Sequence, residues 1–338
     1  MNSCRLWRAT ILSDSGKFWR WALLRVDPGQ YSSQADDLLT STMFFIVPEI
    51  KISTGPDIVE SILQVVSEGK TLQLKKIIVS SPSGPLAQLS PDIFAGAAVK
   101  VERLKLLSMP SSVQLEAILS RLAGSQDSKL RKLSCYGWSR ADISGMDPEI
   151  LSQALVKLKT VDDLFLFVHL SPGQYLSLFS QISEAPNLRL ARLQLYWDVS
   201  LVPPEVFAGA LSRLERVVFR PWTGVTPSQL DSLFLMLSSH QVEAGGSTLT
   251  LKRLKFYFND LASVSPEVLV GAIQRLERVA FYGSSSRMAV EQMTAILTML
   301  KSNQQGRLTV VEIYMSGGSV SSSLLQQARM NTNVRIDV

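Results

Sequence analysis

Apolar residues return along this chain in one spacing: a first, a second three positions later, and a third two after that. Nine sets carry it: Leu74/Ile77/Val79, Val101/Leu104/Leu106, Leu130/Leu133/Cys135, Val161/Leu164/Leu166, Leu190/Leu193/Leu195, Leu214/Val217/Phe219, Leu251/Leu254/Phe256, Leu276/Val279/Phe281 and Leu308/Val311/Ile313. Their first members lie 24 to 37 residues apart, with a mean of about 29. A period of that size marks stacked repeats, each burying its apolar face against its neighbours. Weaker copies at Val47/Ile50/Ile52 and Trp21/Leu24/Val26 carry the pattern back to about residue 21.

Alternate residues of a strand point to opposite faces, so the second and third members of each set read as the buried side of a short strand. Between sets the spacing turns helical. Ser90-Pro91-Asp92, Asp147-Pro148-Glu149, Pro203-Pro204-Glu205 and Ser265-Pro266-Glu267 recur every 56 to 62 residues, so the repeats alternate between two kinds. Ser or Asp before the helix accepts a bond from an orphan N–H. Proline at the first helical position has no N–H to leave unpaired, and the acid beside it meets the positive end of the helix dipole. Ser171-Pro172 and Thr226-Pro227 place the same device in the other kind. Behind these starts, Val206, Phe207, Ala210, Leu211 and Leu214 make one apolar stripe, and Val268, Leu269, Ala272, Ile273 and Leu276 make its counterpart. Gly96, Gly209 and Gly271 recur mid-helix, where glycine costs ~1 kcal/mol relative to alanine. Their recurrence predicts a close approach by a neighbouring element.

The phrase L-x-x-L-x-L at this period resembles the leucine-rich-repeat family, and the alternation of two repeat kinds resembles its ribonuclease-inhibitor-like branch. The resemblance runs from Leu74 to Ile313. It implies an α/β solenoid bent into a horseshoe, with a parallel sheet on the concave side and α-helices on the convex side. The family's Asn or Cys three residues after the set stands here only as Asn259, with Trp138, His169, Asp198, Trp222 or Ser316 elsewhere. The usual side-chain ladder between turns is therefore not expected in that form. About 11 repeats are expected over residues 21–338, with 1–20 as an irregular cap or remnant. Gly245 and Gly246 mark 238–247 as a flexible loop, and Val334, Ile336 and Val338 suit a last edge strand.

A chain of 338 residues exceeds what one hydrophobic core usually holds, a limit that a solenoid escapes. With 46% hydrophobic residues, large-scale disorder is excluded. Two cysteines, Cys4 and Cys135, cannot make a disulfide framework. The first 21 residues lack the apolar run of a signal peptide, and no stretch reaches the ~20 apolar residues of a membrane span. These features lead to an expectation of a cytoplasmic or nuclear protein. The net charge of +5 does not by itself imply nucleic acid. His169 and His240 have no partners at metal-ligand spacing, and no phosphate loop, dinucleotide fingerprint or nucleophile elbow occurs. No enzyme activity, metal or cofactor is expected.

Chemistry enters on the solvent face of the strands. In the first eight sets the second place after the first member holds Lys76, Arg103, Lys132, Asp163, Arg192, Arg216, Arg253 and Arg278, seven of the eight being basic. From the third set on, the sixth place holds Tyr136, Phe167, Tyr196, Arg220, Tyr257, Tyr282 and Tyr314, which takes in five of the chain's seven tyrosines. Tyr and Arg dominate binding at protein interfaces, since they offer large contact area, few torsions to freeze and polar tips. Duplicated repeats also inherit such rows without function, and Glu102, Asp162, Glu215 and Glu277 beside the basic row could neutralise it locally.

The leading expectation is a monomeric, non-catalytic scaffold that takes an acidic or mixed segment of a partner protein. Its candidate contacts are Tyr136, Tyr196, Tyr257, Tyr282, Tyr314, Arg103, Lys132, Arg192, Arg216, Arg253 and Arg278. An alternative is the substrate-recognition subunit of an F-box/cullin-type ubiquitin ligase, because repeats that resemble these often follow an F-box there. Pro148-Glu149-Ile150-Leu151 superficially resembles an F-box start but recurs with the solenoid, and no separate F-box is expected ahead of residue 21. Nucleic-acid binding by the basic and aromatic rows ranks third, since the neighbouring acids dilute the field.

Overall fold

A computed structural model of the chain describes residues 23–26, 48–53, 56–69, 74–80, 86–108, 110–135, 141–161, 168–185, 188–195, 198–220, 223–239, 250–257, 260–284, 288–302, 308–316, 326 and 334–337. These fall into two compact units, Met1–Met146 with Phe167–His169, and Asp147–Leu166 with Leu170–Val338.

In the first unit, β1 (Leu23–Val26), β2 (Glu49–Ser53), β3 (Lys76–Ser80), β4 (Arg103–Leu106) and β5 (Lys132–Cys135) lie parallel in chain order. A short pair, β6 (Ala141–Asp142) with the later β8 (Val168–His169), stands apart from them. Helices α1 (Pro56–Ser67), α2 (Pro91–Lys100) and α3 (Ser112–Gly124) connect the strands. Leu24, Ile50, Ile77, Leu104 and Leu133 are successive partners, so the two weak copies of the repeat hold the same register as the strong ones.

In the second unit the parallel order is β7 (Thr160–Val161), β9 (Arg192–Leu195), β10 (Arg216–Phe219), β11 (Arg253–Tyr257), β12 (Arg278–Ser284), β13 (Val310–Ser316) and β14 (Val334–Asp337). Its helices are α4 (Pro148–Lys157), α5 (Pro172–Glu184), α6 (Pro204–Ser212), α7 (Pro227–Ser239), α8 (Pro266–Ile273) and α9 (Val290–Lys301). The last strand takes the expected register, with Val334 beside Val311 and Ile336 beside Ile313. Helix α7 runs through Ser239, so the first two residues of the expected 238–247 loop are helical, and 240–249 lie outside the described residues.

One repeat is shifted from its expected place. Val161 pairs with Leu193 and Thr160 with Arg192, so the set begins at Leu158 rather than Val161. The helix before it ends at Lys157, and Leu158 is fully buried as the first member. The amide of Ala191 accordingly bonds Lys159 O, just as Glu215 N bonds Ala191 O one repeat later. Thr160, not Asp163, therefore occupies the second place of that repeat.

Buried strand positions alternate with half-exposed ones, as in β2 and β3. Behind the second unit's strands the core is a run of phenylalanine rings. Phe179 stacks on Phe207 at 5.4 Å, Phe219 on Phe256 at 4.9 Å, and Phe256 on Phe281 at 5.7 Å. Asp147 and Ser265 cap their helices as predicted, whereas Ser90 does not; its amide instead donates to Glu60 Oε1 at 3.3 Å. The three mid-helix glycines all face a serine of the preceding helix. A Cβ at Gly96, Gly209 or Gly271 would lie 3.0, 3.9 or 3.3 Å from the Cβ of Ser67, Ser183 or Ser238.

The tie between successive turns comes from glutamine. Gln114, Gln174, Gln229 and Gln292 are buried at the third helical position of α3, α5, α7 and α9, counting Val290 of α9 as its first. Each accepts at Oε1 from the amide just before its helix. The Nε2 groups of Gln114, Gln229 and Gln292 also reach the preceding turn, donating to the carbonyls of Leu86 and Leu89, Val199 and Val202, and Leu261 and Val264. Buried amides of this kind are stable only when fully paired, and these satisfy three backbone groups each. The architecture is an α/β leucine-rich-repeat solenoid of strand–helix units with parallel sheets.

Candidate functional site

In-register parallel pairing lines up equivalent residues about 4.8 Å apart. It places Arg192, Arg216, Arg253 and Arg278 side by side across β9, β10, β11 and β12. In the first unit it places Lys76, Arg103 and Lys132 likewise across β3, β4 and β5. Every one of these side chains is exposed or half-exposed, on the face opposite the buried members of the sets.

The tyrosine row forms where β11, β12 and β13 run long enough to carry it. Tyr257, Tyr282 and Tyr314 are partners across the sheet. Their rings stack with centroids 4.5 and 4.8 Å apart and planes within 7° and 5° of parallel. The Arg220 guanidinium lies 4.9 Å from the Tyr257 ring and also donates to Gln194 Oε1 at 2.9 Å. Tyr136 and Tyr196, named with these three from the sequence, lie outside the described residues, as does Phe167.

One residue central to this surface did not stand out in the sequence. Glu312, at the fourth place of the last strong repeat, is 3% exposed. One of its oxygens accepts from Arg278 Nη2; the other accepts from the Tyr282 hydroxyl at 2.7 Å, with Lys255 Nζ at 3.8 Å. Burial raises its carboxyl, but the bonds from Tyr282 and Arg278 and the charges of Arg278 and Lys255 outweigh that, so it sits below the usual glutamate range. Burial, the bond to Glu312 and the glutamate's charge all hold the Tyr282 hydroxyl protonated well beyond the ordinary tyrosine range. Lys255 is lowered by burial and by Arg278, Arg216 and Arg220, against the pull of Glu312.

Among the described residues, the acids beside the second unit's basic row leave Arg192, Arg216 and Arg253 without an ion pair. Among the described residues the ion pairs that reach this face are Lys76–Glu49 at 2.8 Å, Lys255–Glu312 and Arg278–Glu312. Glu102, Glu215 and Glu277 form none with it there. In the first unit a cleft of about 760 Å³ opens between α2 and α3, edged by Asp92, Arg121 and Ser125. Among the described residues no group of His, Cys, Asp and Glu is placed to hold a metal ion. No helix among them is long and apolar enough to cross a membrane.

The chain matches no protein-family model and no curated protein. Among solved structures, a chain of the Rad7 and Elc1 complex in yeast aligns over 85% of this chain and 76% of its own length, at 16% identity and a TM-score of 0.43. The leucine-rich repeat-containing protein LegL7 from Legionella pneumophila aligns over 94% of this chain and 99% of its own length, at 12% identity and a TM-score of 0.43. A protein from Bacteroides fragilis aligns over 90% and 69%, at 11% identity and a TM-score of 0.30.

Proposed function

We propose that this chain is a non-catalytic scaffold that binds another protein on the exposed sheet face of its second unit. The observation that carries this reading is the stack of Tyr257, Tyr282 and Tyr314, half-exposed and flanked by the arginine row. A stack held on both sides loses little entropy when a partner covers it, and Tyr with Arg is the pairing that dominates interface energetics. A ladder serving stability alone would not need its cations to outnumber their carboxylates. Arg192 belongs to the same row in this reading, whereas Arg103 and Lys132 form a row of their own in the first unit. The protein acts as a monomer in the cytoplasm or nucleus, and its repeats follow the ribonuclease-inhibitor-like pattern; the cap expected over residues 1–20 lies outside the described residues.

The test is affinity purification from the native cell type, with the chain carrying Tyr257→Ala and Tyr314→Ala run beside the parent. Partners lost by a variant that keeps its melting temperature support a docking face. Unchanged partner lists, or losses that merely track lost stability, assign the stack a structural role and end this reading.

A further inference from the structure

Among the described residues, the sheet face of the second unit carries more cations than carboxylates that reach them. Arg216, Arg220, Arg253, Lys255 and Arg278 stand on three adjacent strands and the turn after β10, and among the described residues Glu312 is the one carboxylate that reaches them. Arg192, Arg216 and Arg253 form no ion pair among the described residues, and Nε of Arg278 has no acceptor there. Like charges directly opposite across strands destabilise a sheet, so the row works against the free fold.

Glu312 shows how this surface seats a carboxylate: guanidinium on one oxygen, tyrosine hydroxyl on the other, ammonium nearby. The guanidinium and the hydroxyl recur one strand back, where Val218 stands in the place of Lys255. Arg253 pairs with Arg278 and Tyr257 with Tyr282, but the place matching Glu312 is Ala280. Ala280 is fully covered and offers no acceptor, so an incoming acid meets the arginine forks and not the sheet below. Guanidinium forks match carboxylates bidentately, and Arg216 on the next strand supplies a second fork.

We propose that an acidic segment of the partner protein supplies the carboxylate that Ala280 does not, seated on Arg216 and Arg253 beside Tyr257. This deepens the docking reading above and rests on it. Glu312 then acts as a resident competitor that holds Arg278 and Lys255 and keeps the acid on the β10–β11 side. A nucleic acid would meet the same cations, but base stacking needs open ring faces. Both faces of Tyr282 are covered by its neighbours, and Tyr257 lies between Tyr282 and Arg220.

The test is fluorescence anisotropy of the full chain with a labelled oligoglutamate peptide, an oligoglutamine peptide of equal length, and a labelled oligothymidylate. Oligoglutamate should bind and oligoglutamine should not. Arg216→Ala with Arg253→Ala should weaken binding by roughly tenfold or more, as expected for lost charge-assisted bonds. Arg253→Lys should restore part of it, and Glu312→Gln should strengthen it. Equal binding of both peptides, or indifference to the arginine changes, overturns the proposal; so does oligothymidylate binding more tightly through the same arginines. If oligoglutamate fails while the tyrosine variant still loses its cellular partners, the docking face stands and the acidic chemistry falls. If both fail, the docking reading falls with it.

Discussion

The Tyr282 hydroxyl donates to Glu312 across neighbouring strands at 2.7 Å, and the same carboxylate holds Arg278. Because the net effect is to lower the Glu312 carboxyl below its ordinary 4.5, the folded state is favoured while that group is ionised. The sign follows: the contribution is fully present above the unfolded value and is lost as pH falls through the lower folded one. Glu312→Gln should therefore cost about 1 kcal/mol at neutral pH, at the low end because Arg278 is partly exposed. The gap to the parent should close as pH falls below the unfolded glutamate value and through the lower folded one, since protonation removes the same charge. Thermal melts from neutral to acid pH measure it; parallel curves for parent and variant would show that Glu312 carries no such linkage.

Gln229 ties Thr226 N to the carbonyls of Val199 and Val202 from a fully buried site. Gln229→Ala leaves Thr226 N and the Val202 carbonyl without this partner, while the Val199 carbonyl keeps the Val202 amide; each buried orphan costs about 1–3 kcal/mol, so a loss of roughly 2 kcal/mol or more is expected. Gln229→Glu should be as damaging or worse. A carboxylate can still accept from Thr226 N, but it has no donor for the two carbonyls and would be charged in a buried place. Urea unfolding of both variants decides it, and a Glu variant as stable as the parent would contradict the hydrogen-bond account.

That glutamine tie was legible and the glutamate cluster was not. Gln114, Gln174, Gln229 and Gln292 recur at 60, 55 and 63 residues, always three after the residue preceding the helix, so the period was there to be read. The fourth strand place, by contrast, holds Ile78, Lys105, Ser134, Gln194, Val218, Lys255, Ala280 and Glu312. No residue type repeats there often enough to mark Glu312; its role comes from Arg278, Tyr282 and Lys255 converging from two other strands. The strands themselves followed from alternation, because burial of every second residue is what a half-covered sheet requires. The slip from Leu158 to Val161 arose because both residues satisfy an apolar first place. Only the end of α4 at Lys157 distinguishes them, and helix ends are set by the tertiary fit as much as by sequence.

Cys135 fills the third apolar place of β5, wholly buried, and burial pushes its thiol up to about 12. A thiol kept protonated and inaccessible does not react, since the thiolate is the nucleophile. In a Cys4→Ser chain the remaining thiol should resist an aromatic disulfide reagent at pH ~8 and react fully in urea. The slow native reaction would then report opening of β5. Rapid modification of the native chain would mean that this strand is not part of a closed core.

The mid-helix glycines separate two physical effects that sequence recurrence alone merges. Alanine is the better helix former by ~1 kcal/mol, so replacement helps wherever space allows. At Gly209 the new Cβ would meet Ser183 at 3.9 Å, an ordinary contact, and Gly209→Ala should stabilise the chain by about that amount. At Gly271 the 3.3 Å approach to Ser238 absorbs most of the gain, so the change should be near neutral. At Gly96 the contact would be 3.0 Å to the Cβ of Ser67, an atom fixed to its backbone. Helices α1 and α2 would have to part, so Gly96→Ala should destabilise by about 1–3 kcal/mol, the range of overpacking. Adding Ser67→Gly removes the opposing atom, and the double variant should recover a good part of the loss despite the cost of a glycine in α1. Denaturant midpoints of the four variants test the order. If Gly96→Ala stabilises as Gly209→Ala does, the recurrence of glycine reflects shared ancestry of the repeats and not the approach of their helices.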